Sequence, residues 1–153
     1  MAFKPTTHSS FTLKRKLDAP PSLVFQAFST KEGKQRWFVS HSAKEKIRSM
    51  DFRVGGEEKL AGEWPNGMVS EFTARYFDIK PDERIIYTYE MRLDGVKIST
   101  SLATIEFQPR GNGTTIVLTE QHAFVDGYED KGSREHGTNA LLDQLVASFN
   151  PKH

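Results

Sequence analysis

The 153-residue sequence contains no cysteine, which excludes disulfide bonds, thiolate zinc sites and a cysteine nucleophile. It also lacks an excess of one charge, because 21 lysines and arginines balance 20 aspartates and glutamates. No global field therefore favours nucleic acid or an anionic membrane. No segment approaches the roughly 20 apolar residues of a transmembrane helix, and no apolar run of signal-peptide length occurs near the start. We therefore expect a cytoplasmic protein without membrane association.

Motifs that bind metals or phosphates are missing as well. The five histidines show no spacing typical of a metal site, such as a pair at i and i+4 on a helix. The sequence has neither a glycine-rich phosphate loop nor a Gly-x-Ser-x-Gly nucleophile motif. We therefore predict no metal and no cofactor.

Basic residues cluster around the aromatic pair Trp37 and Phe38. The cluster consists of Lys31, Lys34, Arg36, Lys44, Lys46 and Arg48. A basic patch with aromatics can bind nucleic acid or an acidic protein surface. A solvated helix face, with Trp37 in the core, is the commoner arrangement, and we expect no nucleic-acid partner.

The spacing of apolar residues predicts an α+β fold with about six or seven strands. Alternation of apolar and polar residues marks the strands as 11–17, 50–54, 57–64, 69–79, 85–93, 99–107 and 114–120. Two short helices are expected after the first strand, one around Phe25 and one over about 31–38. The sheet is expected to be antiparallel, because turn signals such as Asn66-Gly67 separate its strands.

The last predicted element is a long amphipathic helix over residues 133–149. Its apolar residues recur at helical spacing and are Leu141, Leu142, Leu145, Val146 and Phe149. An antiparallel sheet with one apolar face needs a cover, and this helix can supply it. We therefore predict a single domain over residues 1–153, with an ordered core of about 10–150, in which a curved sheet surrounds the C-terminal helix.

Several short segments carry a resemblance to a known family. They are Ala19–Phe28, Arg36–Phe38, Asp51–Gly56, Tyr76–Ile85, Phe107–Pro109, Gly111–Thr114 and Gly132–Gly137. In order and spacing they resemble the SRPBCC (START-like) superfamily and, within it, bacterial single-domain homologues of the activator of heat-shock-protein-90 ATPase. The resemblance implies a helix-grip fold and a ligand-binding or chaperone-associated role, without a defined reaction.

Two positions depart from the family pattern. A second tryptophan often follows the position of Trp37, and this sequence has Phe38 there. The strand after Gly55-Gly56 usually carries an aromatic residue near the position of Glu58. The second departure introduces a carboxylate and therefore alters the predicted pocket.

We predict a ligand cavity whose walls are strand residues with side chains on the inner face of the sheet, together with residues on the inner face of the helix. They are Trp37, Phe52, Leu60, Phe72, Tyr76, Tyr87, Tyr89, Ile105, Leu118, Leu142, Leu145 and Val146. The tyrosines combine apolar area with a hydroxyl group and can orient a polar ligand group, but plain core packing explains them as well.

Three ionisable residues on the same inward parity are candidates for catalysis. They are Glu58, Glu120 and His122. Two carboxylates and an imidazole inside an apolar cavity can perform acid–base chemistry. The alternative is that these residues lie at strand ends, where they are hydrated or paired with arginine.

The sequence favours a protein that binds one small apolar or amphipathic molecule, as a monomer or homodimer. An enzyme is the first alternative, namely a cyclase, dehydratase or hydrolase that acts on a polyketide-like or aromatic compound. The second alternative is a chaperone-associated protein-binding module of the stress response.

Overall fold

The structure, a computed structural model, describes residues 2–149. Within these residues the elements follow one another as β1 (Thr7–Leu17), α1 (Pro21–Ser29), α2 (Lys31–Gln35), β2 (Lys44–Met50), β3 (Glu57–Glu63), β4 (Val69–Lys80), β5 (Arg84–Leu93), β6 (Val96–Arg110), β7 (Gly113–Phe124) and α3 (Ser133–Phe149). No helix in this range combines the length and the apolarity that crossing a bilayer requires.

The strands form one antiparallel sheet in the order β1-β7-β6-β5-β4-β3-β2. Strands β2 to β7 each pair with their neighbour in the chain, whereas β1 pairs with β7. Helices α1 and α2 carry the chain from the β1 edge of the sheet to the β2 edge. This arrangement confirms the predicted α+β helix-grip fold.

The sequence prediction is wrong for residues 50–54. Strand β2 ends at Met50, and residues 51–56 form a loop closed by its own backbone hydrogen bonds. Gly56 permits this tight path, because a Cβ atom there would lie 2.1 Å from the carbonyl oxygen of Asp51. The apolar alternation that suggested a strand therefore belongs to a loop.

Other predicted boundaries also shift. Phe52 packs against the core, but Val54 is exposed, so these two residues do not share an inward face. The second short helix was predicted over 31–38 and ends at Gln35. Strand β1 begins earlier than predicted, at Thr7, because it pairs with β7 along its whole length.

Helix α3 covers the sheet and is held by polar contacts at several points. The Arg15 guanidinium of β1 donates to Asp143 Oδ1 of the helix at 3.1 Å. The Gln144 amide donates to two backbone carbonyls in the segment 37–39. The fully buried side chains of the helix are Leu142 and Leu145.

Candidate functional site

A cavity of about 720 Å³ lies between the inner face of the sheet and α3. Strands β3 to β7 supply its floor, and the segment 37–45 supplies a side wall. The exposed residues of the lining lie mainly in this segment and in the first half of α3, so the cavity opens between them. Its volume falls within the range of small-molecule sites in proteins.

Most of the predicted wall residues line this cavity. Those that do are Trp37, Leu60, Phe72, Tyr87, Tyr89, Ile105, Leu118 and Leu142. Those that do not are Phe52, Tyr76, Leu145 and Val146. Phe52 and Tyr76 pack edge to face, with ring centroids 4.9 Å apart, and their rings fill the core instead. Leu145 and Val146 lie on the part of α3 that packs against the same core.

Several apolar lining residues were not predicted. They are Phe38, Trp64, Met68, Met91, Ile98 and Ile116. Met91 shares the alternation of Tyr87 and Tyr89 along β5, so this signal was present in the sequence. The contribution of Trp64 and Met68 depends on how the β3–β4 hairpin folds back, which alternation does not indicate.

Glu58 lies inside the protein, as strand parity predicts, and it is fully engaged there. Lys34 Nζ lies 2.9 Å from Oε1 and 3.1 Å from Oε2 of Glu58. The Tyr76 hydroxyl donates to Oε1 at 2.6 Å. Burial, followed by the negative charge of Glu58, raises the pKa of Tyr76 far above its usual range. Glu58 does not line the cavity, so its carboxylate bonds to Lys34 and Tyr76 and not to a ligand.

The burial of Lys34 corrects the interpretation of the basic cluster as a solvated face. Only 3% of Lys34 is exposed, and its ammonium group lies 4.1 Å from the ring centroid of Phe38. A buried carboxylate requires a positive partner, so Glu58 was the signal that could have identified this role. Among the six basic residues, Lys34 is the one that pairs with Glu58, because of the position of α2 relative to β3. Sequence reasoning could not supply that position.

Glu120 and His122 form a second buried group on β7. The two residues are 4% and 3% exposed, so they are not hydrated strand ends. The Tyr89 hydroxyl donates to Glu120 Oε1 at 2.5 Å, and His122 Nε2 lies 2.8 Å from the same oxygen. His122 Nδ1 lies 3.2 Å from Ser9 Oγ. Of the three catalytic candidates, only Glu120 lines the cavity.

Arg134 in the first turn of α3 is a polar cavity residue that sequence reasoning missed. Its guanidinium donates to the Tyr89 hydroxyl at 3.1 Å, to Ser101 Oγ at 3.2 Å and to Ser99 Oγ at 2.8 Å. It also lies over the rings of Tyr89 and Phe124. Burial and the charge of Glu120 raise the pKa of Tyr89, and Arg134 opposes that rise. The only sequence signal for Arg134 was its place within the segment Gly132–Gly137.

Tyr87 lies between the Glu58 group and the Glu120 group, and its hydroxyl, unlike those of Tyr76 and Tyr89, does not bond to a carboxylate of the described residues. It faces Tyr76 across the β4–β5 pairing, and its ring centroid lies 6.0 Å from that of Tyr89. Burial first, and then the charge of Glu120, raises the pKa of Tyr87 well above its usual value. Within residues 2–149 the Tyr87 hydroxyl has no hydrogen-bond partner, although the ring lines the cavity.

Among the described residues, no group of three or more histidine, aspartate or glutamate side chains is placed to hold a metal ion. The cavity floor combines aromatic rings with the hydrogen-bonded group of Tyr89, Glu120 and Arg134.

Residues 18–150 match the sequence profile of the family described as Activator of Hsp90 ATPase homolog 1-like protein. The chain belongs to this family. The match confirms the resemblance identified from the sequence segments, and it spans every element from α1 to α3. The chain matches no curated protein.

Solved structures of bacterial proteins share this fold. An uncharacterised protein from Rhizobium leguminosarum is 38% identical with a TM-score of 0.93, and the alignment covers 99% of this chain and 100% of that chain. A protein from Rhizobium loti is 39% identical with a TM-score of 0.87 and coverages of 94% and 99%. A protein from Chromobacterium violaceum is 28% identical, with a TM-score of 0.77 and coverages of 94% and 98%.

Proposed function

We propose that this protein binds one small, largely apolar molecule in the cavity between the sheet and α3. The observation that carries the proposal is the cavity itself, whose volume of about 720 Å³ suits a single small molecule. The cavity opens between the segment 37–45 and the first half of α3, so a ligand can enter it and displace water from its apolar walls.

The chemistry of the lining supports an apolar ligand. Aromatic and aliphatic side chains supply most of the floor, among them Phe72, Met91 and Leu118. A few polar groups converge at one side of the floor, around Tyr89 and Arg134. Apolar walls with a few placed polar groups are typical of sites that bind small organic molecules.

The acid–base alternative receives less support from the geometry. It requires Glu58, Glu120 and His122 to act on one reacting centre. Glu58 is occupied by Lys34 and Tyr76 outside the cavity lining, and His122 also lies outside it. Binding therefore accounts for more of the site than a reaction does.

Filling the cavity from the helix side tests the proposal. Gly137 lines the cavity, and a Cβ atom there would meet no atom within 4 Å. We expect Gly137→Phe to place a ring in the cavity and to weaken the binding of Nile red, an uncharged apolar dye, by roughly tenfold or more. Gly137→Ala is the matched control, since it also replaces the glycine of the helix but adds only a methyl group.

The outcomes of this experiment are distinct. One dye per chain, released by Gly137→Phe and retained by Gly137→Ala, supports the proposal. Dye binding that is equal in both variants would place the dye elsewhere and contradict it. Native mass spectrometry of the purified protein supplies an independent readout, because a co-purified small molecule adds a discrete mass that Gly137→Phe should remove.

A further inference from the structure

The unpartnered hydroxyl of Tyr87 is the feature that the binding proposal leaves unexplained. Tyr87 is 7% exposed, so more than nine-tenths of it is buried. Its neighbours Tyr76 and Tyr89 each donate to a carboxylate, namely Glu58 and Glu120. Tyr87 has no such acceptor within residues 2–149.

The hydroxyl of Tyr87 must face the open space of the cavity. Every fully shielded polar side-chain atom among the described residues has a hydrogen-bond partner. The Tyr87 hydroxyl has none, so it is not sealed in the packed core, and its residue lines the cavity. The hydroxyl is therefore placed to donate a hydrogen bond to an acceptor atom of a ligand in the cavity.

The surroundings of Tyr87 keep this group a neutral donor. Burial is the main cause that raises its pKa, and the charges of Glu120 and Glu58 add to it. A negative charge is therefore disfavoured at the Tyr87 oxygen. The head group of an anionic ligand bonded to Tyr87 would lie beside that oxygen and would meet the same burial and the same carboxylates.

The charged residues of the cavity lining leave no free charge to compensate an ion. Within the described part of the chain, and apart from the imidazole of His41, they are Glu45, Arg48, Glu120 and Arg134. Arg48 Nε donates to Glu45 Oε1 at 2.8 Å. Glu120 and Arg134 are linked through the Tyr89 hydroxyl, which donates to the first and accepts from the second. Each charge thus has an opposite charge within the wall itself.

We propose that the ligand carries an uncharged oxygen acceptor, of the kind found in ketones, esters and alcohols, and that Tyr87 donates a hydrogen bond to it. This inference rests on the proposed function and names the ligand class for the same cavity. The head group lies at Tyr87, and the apolar body lies along Phe72, Leu118 and α3. Charged amphiphiles of the same size should bind more weakly, because the described residues of the wall offer no unpaired charge to compensate an ion.

Four probes of equal chain length test the ligand class by displacement of Nile red near neutral pH. They are methyl octyl ketone, its alkene isostere with a methylene in place of the carbonyl oxygen, decanoate and decylammonium. We expect the ketone to bind about tenfold more tightly than the alkene, and both ions to bind more weakly than the ketone. Tyr87→Phe should abolish this preference, so that the ketone binds no more tightly than the alkene, and should leave alkene binding unchanged.

The result separates the two proposals. Suppose that Gly137→Phe blocks the dye, but that the ketone and the alkene bind equally to the parent protein and equally to the Tyr87→Phe variant. The inference about the ligand class is then wrong, and the proposed binding function stands. Decanoate binding more tightly than the ketone would also overturn the inference. If no probe displaces the dye and Gly137→Phe has no effect, the binding function itself fails. Thermal unfolding checks the variant, because Tyr87→Phe removes a hydroxyl that has no hydrogen-bond partner in the described part of the chain and should not lower the melting temperature.

Discussion

Lys34 and Glu58 form an ion pair in which Nζ lies 2.9 Å from Oε1, and each side chain is only 4% exposed. The pair joins α2 to β3, and the Tyr76 hydroxyl completes the hydrogen bonding of the carboxylate. Desolvation makes such a pair costly to assemble, so its largest effect appears when one partner is removed.

Removal of Lys34 should therefore be strongly destabilising. Lys34→Met leaves the Glu58 charge buried and unpaired, and we expect a loss of about 3–5 kcal/mol in the free energy of unfolding, measured by urea denaturation. The double variant Lys34→Met/Glu58→Gln should recover most of this loss, because the neutral amide still accepts from Tyr76.

The exposed pair Lys46–Glu63 is the matched control for this experiment. Its atoms lie 3.0 Å apart, but the side chains are 43% and 41% exposed. Lys46→Met should change stability by less than about 1 kcal/mol. Equal effects of the two lysine substitutions would show that Lys34 is not buried with Glu58.

Gly33 should not tolerate even a methyl group. A Cβ atom there would lie 2.4 Å from the carbonyl oxygen of Gln26 and 2.9 Å from Cα of Ala27. Gly33→Ala must therefore push α2 away from α1, at a cost of about 1–3 kcal/mol. Gly137→Ala in α3 meets no such contact and should be neutral or stabilising. A melting temperature unchanged by Gly33→Ala would contradict the close packing of α1 and α2.

Leu145 tests how α3 covers the sheet. Its side chain is 0% exposed, so Leu145→Asp places an unpaired charge in the core and should unfold or severely destabilise the protein. Ala147 is exposed on the same helix, and Ala147→Asp should leave the melting temperature nearly unchanged. Similar melting curves for the two aspartate variants would mean that α3 does not bury Leu145.

The buried tyrosines predict a loss of stability in alkali. The pKa values of Tyr76, Tyr87 and Tyr89 are raised above the ordinary 10.0, mainly by burial. The folded state therefore keeps protons that the unfolded state loses above about pH 10. The stabilisation is complete below that pH and decreases as pH rises further.

Tyr87→Phe removes one of these titrating groups and should make the loss of stability with rising pH less steep. We expect the slope of unfolding free energy against pH, above about pH 10, to fall by up to about 1.4 kcal/mol per pH unit. Between neutrality and about pH 8.5 the difference in stability between the variant and the parent should stay constant. Parallel curves throughout the alkaline range would show that Tyr87 titrates alike in the folded and unfolded states.

The orientation of strand residues was predictable because side chains alternate between the two faces of a strand whatever lies around it. That local rule correctly placed Glu58, Glu120 and His122 on the inner face. It failed at residues 50–54, where apolar alternation continues through a loop. The loop forms because Gly56 allows a close backbone approach, which residue polarity does not reveal.

The sequence by itself determined which residues face inward and that one long helix covers them, since periodicity and turn chemistry act between neighbours in the chain. Only the tertiary structure decided which buried groups meet. Lys34 reaches Glu58 because α2 lies beside β3, and Arg134 reaches Tyr89 because α3 begins above β5 and β6. Among residues 2–149 the Tyr87 hydroxyl has no partner for the same reason, since it faces the space that the curvature of the sheet leaves beneath the helix. Contacts between distant segments depend on how whole elements pack, and no local pattern of residues encodes that packing.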